Sequence, residues 1–289
     1  MKPFDYAAPV SLSEAVALMG AHPGARPLAG GTDLLVQLRS GRKQTGFVLD
    51  VKRIPELNQL HYDAVTGLTV GAALACYQIG ASDAVHEHYP SLAEVVSWIG
   101  GTPIQGRASL GGNLCNAAPS ADTIPLLIAL GATLRIEGAT GERRLPVEEF
   151  CLGPGQNALL PGEVLVSIHI PAPRPGQGAA YLRLIPRNEM DIAVAGAGAS
   201  LTVVDGVITE ARLALSSVAP KPLFVEEAGE FLRGQRPTEE NFVSAAALAQ
   251  AAARPISDMR GSAEYRKHLS AVMARRALSA AYRRCTHAA

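Results

Sequence analysis

Apolar positions fall in short runs whose spacing alternates between helical and extended. Leu12, Ala15, Val16 and Met19 recur at three and four residues, the stripe of a short helix ending near Gly20. Ser11-Leu12-Ser13-Glu14 fits a capping box, with Ser11 at the N-cap and Glu14 reaching back. A strand over 26–29, a helix over 34–38 stopped by Gly41, and a strand over 47–51 complete a small βαβ-like unit. Paired strands are expected over 57–62 and 68–72, then helices over 76–86 and 91–98. The buried-helix pattern of 123–130 takes Ser120 or Asp122 as its N-cap and Gly131 as its stop. A hairpin over 132–137 and 143–147 and a strand over 164–170 follow.

Pro171-Ala172-Pro173-Arg174-Pro175-Gly176 interrupts every periodicity and marks a domain boundary. Beyond it, 179–185, 194–204 and 207–216 read as antiparallel strands, and 225–232, 239–253 and 263–284 as helices. Small residues crowd 245–253, which lets that helix pack closely on a sheet or a partner. The expected organisation is α+β: a domain over 1–173 in two lobes, about 1–55 and 56–173, and a second domain over 176–289.

Composition excludes more than it identifies. A 48% hydrophobic and 18% charged content is that of an ordinary globular protein. Lys+Arg and Asp+Glu balance at 26 each, so no global field recruits nucleic acid or an acidic membrane. Arg275, Arg276, Arg283 and Arg284 read as the solvated face of the last helix. Cys76, Cys115, Cys151 and Cys285 form no Cys-x-x-Cys, so the chain carries neither an iron–sulfur cradle nor a zinc site. The N-terminus shows no secretory pattern and no apolar run is long enough to span a bilayer, so a cytoplasmic protein is expected. His22, His61, His86, His88, His169, His268 and His287 are scattered as surface or structural residues. No nucleophile–base arrangement or metal-ligand spacing emerges, so neither a catalytic residue nor a metal ligand is assigned.

Two paired glycines carry the candidate chemistry. One stands in Pro27-Leu28-Ala29-Gly30-Gly31-Thr32-Asp33-Leu34-Leu35, the other in Ser109-Leu110-Gly111-Gly112-Asn113-Leu114-Cys115-Asn116. Each removes two side chains beside apolar residues, so backbone N–H groups can approach an anion. Neither continues into Gly-Lys-Ser/Thr, and neither is Gly-x-Gly-x-x-Gly. The residues alone support two arms on one pyrophosphate, and therefore a nucleotide or dinucleotide cofactor.

Leu28-Ala29-Gly30-Gly31-Thr32-Asp33-Leu34-Leu35 and Ile104-Gln105-Gly106-Arg107-Ala108-Ser109-Leu110-Gly111-Gly112-Asn113 resemble the two FAD-binding signatures of the medium subunits of molybdenum hydroxylases, and the resemblance runs over nearly the whole chain. It implies a two-lobed FAD-binding domain of the vanillyl-alcohol-oxidase (PCMH) type. A C-terminal α/β domain of the CO dehydrogenase flavoprotein type, antiparallel strands packed with helices, would follow. Carried over by motif, Leu28, Ala29, Gly30, Gly31, Thr32, Asp33 and Leu34 would line the pyrophosphate. Ser109, Gly111, Gly112, Asn113 and Asn116 would bound its other side, and Asp122 would accept hydrogen bonds near the ribityl or ring end. Leu165 and Ile192 would lie against the flavin, and Ile99 near the adenine. Arg183 stands where the family commonly has a lysine near the ring; a cation there would stabilise charge on the reduced flavin. Trp98 reads as core, and Cys115 as a buried structural thiol rather than a covalent flavin attachment.

Departures narrow the resemblance. Thr32-Asp33 replace the His-Ser usual in the carbon monoxide dehydrogenase subunit, which weighs against that substrate. By the same resemblance, FAD is held on this chain, while molybdopterin and [2Fe–2S] clusters belong to a large and a small partner subunit. The expected assembly is a dimer of heterotrimers, passing electrons from the clusters through FAD to an external acceptor. The alternatives are a free-standing FAD oxidase or reductase of the same fold, and a non-catalytic FAD-binding module.

Overall fold

Strand Val164–Ile170, buried at every residue except His169, lies at the centre of the largest sheet. A computed structural model, which describes residues 1–285, sets it between Gly67–Gly71 and Thr133–Gly138, with Leu60–Asp63 and Gly141–Pro146 at the edges. All pairings in this five-stranded sheet are antiparallel. Ser167 and His169 interrupt its apolar sequence, yet the strand is covered on both faces. Leu165, Ile168 and Ile170 join the largest core cluster, which also takes in Ala179, Tyr181 and Ala214, while Val164 and Val166 join a smaller core with Leu12, Ala15, Met19, Leu49 and Val51. A register shift between Leu165 and Ser167 interrupts its pairing with Thr133–Gly138.

The first lobe is a three-stranded parallel sheet, Phe47–Asp50 between Asp5–Ala7 and Arg26–Leu28. It extends the expected βαβ-like unit by the strand Asp5–Ala7. Helix Leu12–Ala21 opens as the capping residues require: Ser11 Oγ accepts the Glu14 N–H at 3.2 Å. The Glu14 carboxylate accepts from the Val10 N–H at 3.1 Å, one residue before the cap.

In the second lobe the expected helix over 76–86 is two helices, Cys76–Gly80 and Asp83–His88, followed by Pro90–Ser97. Trp98 is the C-cap of Pro90–Ser97. Helix Thr123–Ala129 is buried throughout, and Asp122 precedes it without a side-chain capping bond.

After 171–176 the chain enters a four-stranded antiparallel sheet in the order Gln177–Leu184, Ala195–Val204, Val207–Ser216, Leu223–Phe224. Glycines let helices lie directly on both its faces. A Cβ on Gly178 would stand 2.2 Å from the Ala281 carbonyl oxygen, in helix Ala263–Cys285. One on Gly198 would stand 2.5 Å from the Pro125 carbonyl oxygen, in the helix from the preceding lobe. The small residues of Glu239–Ala252 are used inside the chain, where Ala245, Ala246 and Ala249 share a core with Ala263–Cys285.

Polar clasps tie the halves together. Arg212 donates to the Ile128 carbonyl at 2.8 Å and to Glu148 at 2.7 Å, with its guanidinium over the Phe224 ring. Arg284 reaches the Ala179 carbonyl and Glu94, and Arg275 pairs with Glu239 at the surface, while Arg276 and Arg283 lie on the exposed face of the last helix. Among the described residues no helix is long and apolar enough to cross a membrane, and no group of His, Cys, Asp and Glu could hold a metal ion. Histidines find structural partners: His22 stacks on Phe47, His88 on Tyr62, and His169 faces Thr69. His287 lies outside the described residues.

Candidate functional site

The second paired glycine is the first turn of a helix rather than a loop. Ser109 has extended backbone and its Oγ accepts the Gly112 N–H at 3.0 Å, so Leu110–Asn116 is N-capped there. The two glycines of this turn do different work. A Cβ on Gly111 would stand 2.4 Å from the Ala72 carbonyl oxygen, so its bare backbone packs the helix onto the chain just after Gly67–Gly71. A Cβ on Gly112 would meet only Ser109 Oγ at 3.1 Å, and this residue lines a cavity.

The first paired glycine faces it across the same space. A Cβ on Gly30 would fall 1.7 Å from the Arg107 carbonyl oxygen, so only glycine lets the two arms touch. Arg107 closes the contact by donating to the Gly30 carbonyl at 3.3 Å. Gly31 adopts φ +76°, a left-handed turn that delivers the chain into helix Leu34–Arg39. Side chains then bridge the two helices: Gln37 donates to Asn116 Oδ1 at 2.8 Å. Part of each first turn is satisfied locally, since the Gly112 N–H donates to Ser109 Oγ and the Leu35 N–H to the Gly31 carbonyl at 3.1 Å.

Between the arms is a cavity of about 760 Å³. Its wall carries Arg26, Asp33, Lys43 and Glu163 as charged groups, and Ile99, Ile104 and Leu160 as apolar ones. Burial raises the Asp33 carboxyl above its ordinary value, partly countered by Lys43 and Arg42. Burial lowers the Lys43 ammonium, and Arg26 lowers it further. The Cys115 thiol is pushed up to about 12, chiefly by burial, so it stays protonated and a poor nucleophile.

Glu163 is held from outside the cavity by a bidentate pair, with Arg143 Nε and Nη2 each 2.7 Å from its oxygens. It also accepts the Leu160 N–H at 2.7 Å, fixing the wall segment over 159–163. The hydrogen bond from Arg143 is the largest cause holding the carboxyl below its ordinary value, against burial. A depressed carboxylate contributes stability that is present above the unfolded value of 4.5 and lost as pH falls through the folded one. Glu163→Gln is therefore expected to melt below the parent at neutral pH, with the gap closing on acidification below the carboxylate range. Thermal melts across the acid range check this; a pH-independent gap contradicts it.

Beside the Ile99 edge lies a second polar group, which lines no part of the cavity. Arg183 pairs with Asp122, both side chains about nine-tenths buried, and reaches the Trp98 carbonyl at 3.4 Å with its guanidinium 5.6 Å from that ring. Tyr181 donates to Asp122 at 2.7 Å. Burial is the largest cause raising the Asp122 carboxyl, with Arg183 and Tyr181 opposing it.

Of the residues singled out in the sequence, Leu28, Ala29, Gly30, Gly31, Thr32, Asp33, Leu34, Ser109, Gly112, Asn113 and Asn116 line the cavity. Gly111 packs behind it, Leu165 is in the core, and Ile192 is 47% exposed. Asp122 and Arg183 sit together in the neighbouring cluster. Sequence reasoning missed Arg26, Gln37, Lys43, Asn157 and Glu163, which line the same space. Gln37 could have been found, since it lies one turn after Asp33 on the helix that follows the first glycine pair. The others arrive from separate segments and carry no local signal.

The chain matches two family models, the FAD binding domain in molybdopterin dehydrogenase over residues 2–173 and the CO dehydrogenase flavoprotein C-terminal domain over 180–281. It is 35% identical over 283 residues to the carbon monoxide dehydrogenase medium chain of Hydrogenophaga pseudoflava, covering 98% of each. It is 30% identical over 282 residues to the xanthine dehydrogenase FAD-binding subunit of Escherichia coli O157:H7, covering 96% of this chain and 97% of that one. Among solved structures, carbon monoxide dehydrogenase from Hydrogenophaga pseudoflava superposes with TM-score 0.94 at 35% identity, over 98% of this chain and 99% of that one. Quinoline 2-oxidoreductase from Pseudomonas putida 86 gives TM-score 0.89 at 30% identity, over 97% of each.

Proposed function

The chain belongs to the FAD-binding medium subunits of molybdenum-dependent dehydrogenases, and from that premise we propose that it is the FAD-carrying electron-transfer subunit of such a complex. The observation that carries this reading is the contact of Gly30 with Arg107, which closes two glycine-bearing arms over one cavity. The residues present fit the cofactor. The cavity is of the size usual for cofactor sites, about 300–1,000 Å³, with two side-chain-free segments and Lys43 for a diphosphate and apolar walls for rings. When bound, the flavin supplies an acceptor that exchanges electrons singly or in pairs.

The chain's own part is to bind, orient and insulate. The segment from Leu28 to Leu34 would hold one side of the diphosphate, and Ser109, Gly112, Asn113 and Asn116 the other, with Gly111 keeping that helix in place. The paired Asp122 and Arg183 would stand at the ring end, with Ile99 as the link between the cavity and their cluster. Leu165 would back the ring from the core and Ile192 would border it from the surface loop. Residues 1–173 would form the FAD domain and those from 176 onward the second domain. The partners are a small iron–sulfur subunit and a large molybdopterin subunit, assembled as a dimer of heterotrimers in the cytoplasm, with reduction of an external acceptor as the last step.

Purifying the tagged chain from its own host tests this. Two further polypeptides, iron, molybdenum and flavin are expected to co-elute with it. A yellow monomer that oxidises an organic substrate unaided would overturn the assignment.

A further inference from the structure

The charges on the cavity wall do not balance locally. Glu163 is committed to Arg143 and the Leu160 N–H. Lys43 lines the cavity, yet among the described residues its ammonium has no hydrogen-bond or ion-pair partner. Its position is set by the backbone, since the Lys43 N–H donates to the Gln37 carbonyl at 3.2 Å. Gln37 is the residue whose side chain bridges to Asn116 on the opposite arm. Lys43 therefore emerges beside the Gln37–Asn116 tie between the two arms, with Arg26, Asp33 and Cys115 as the charged or titratable groups around it.

We propose that Lys43 neutralises the diphosphate of the flavin dinucleotide at the bridged side of the arms, and so selects the dinucleotide over a phosphate-free flavin. The inference rests on the FAD reading above. Backbone N–H groups at two helix starts offer hydrogen bonds and partial positive charge but no full countercharge to a doubly anionic bridge. A lysine at the end of a flexible stem supplies one and can settle on either phosphate. Its surroundings already disfavour the proton in the absence of an anion, and an anion beside it removes that penalty. Arg26, more exposed on the same wall, adds to the field without the same placement at the bridge.

The test uses the full chain stripped of flavin, titrated with FAD and separately with riboflavin while flavin fluorescence is followed. Lys43→Met, which keeps most of the stem and removes the charge, is expected to weaken FAD by about tenfold or more, as loss of one charge-assisted contact does. Riboflavin binding should stay within about twofold of the parent, because it carries no phosphate for the ammonium to meet. Lys43→Arg should recover most of the FAD affinity. Unchanged FAD binding in Lys43→Met overturns the inference, and so does an equal loss for FAD and riboflavin, which would make the residue a matter of shape. Should Lys43→Met not fold, Lys43→Gln is read by the same criteria. A parent chain that binds no FAD at all sinks the functional assignment itself, whereas a parent that binds and a variant that matches it sink only the role of Lys43.

Discussion

Gly112→Leu is expected to yield a folded protein without flavin. Its backbone N–H is already bonded to Ser109 Oγ, and a Cβ would meet only that oxygen, at 3.1 Å. The helix can therefore keep its cap, and leucine is a better helix residue than glycine by roughly 0.5–1 kcal/mol. The rest of the leucine side chain would occupy space in the cavity that Gly112 lines. Neighbouring glycines would not separate binding from folding so cleanly. A side chain on Gly111 collides with the Ala72 backbone, and one on Gly30 with the Arg107 carbonyl, so either forces the arms or the sheet to shift. The ratio of visible flavin absorbance to protein absorbance after purification reads the outcome, alongside the melting curve of the flavin-free form. A full flavin load in Gly112→Leu contradicts the placement of the diphosphate between these arms.

Arg183→Met is expected to be among the most destabilising single changes in the chain, by roughly 3 kcal/mol. It leaves the Asp122 carboxylate, only 12% exposed, facing Tyr181 with no countercharge. The carboxyl is already raised by burial, so part of the loss is relieved by taking up a proton. The sign of the pH dependence follows. A raised carboxyl contributes stability that is complete below its unfolded value of 3.8 and is lost as pH rises through the folded one, so the variant should recover stability on acidification. The double variant Asp122→Asn with Arg183→Met should lie closer to the parent than Arg183→Met, because the stranded charge is gone. Urea unfolding of the parent, Arg183→Met, Asp122→Asn and the double variant at neutral and acid pH reads this cycle. Additive losses would mean that the two groups do not act as a pair. Arg183→Lys keeps the charge but gives up the planar fork that spans Asp122 and the Trp98 carbonyl, so only partial rescue is expected.

Periodicity and breakers carried most of the architecture. Strands Val164–Ile170 and Val207–Ser216 have the limits the apolar runs set, and the last three helices depart from them by a residue. These elements are long or bounded by Gly and Pro, so local signals suffice. The strand Asp5–Ala7 and the helix Thr102–Gln105 are too short to show a period. The helix over 76–86 broke because Gly80-Ala81-Ser82 offered a turn that the apolar pattern alone did not reveal.

By itself the sequence determined the α+β organisation and the two glycine-bearing arms, while the flavin followed from the resemblance of those arms to FAD-binding signatures. The organisation and the arms rest on neighbours within a few residues, where propensity, capping and turn chemistry act. Only the tertiary structure decided that Gly30 lies against Arg107, that Gly111 serves packing while Gly112 faces the cavity, and that Asp122 is the partner of Arg183. It alone brought Lys43 and Glu163 to one wall from segments more than a hundred residues apart. Such meetings depend on how whole elements pack, and close packing leaves no trace in the spacing of either residue along the chain.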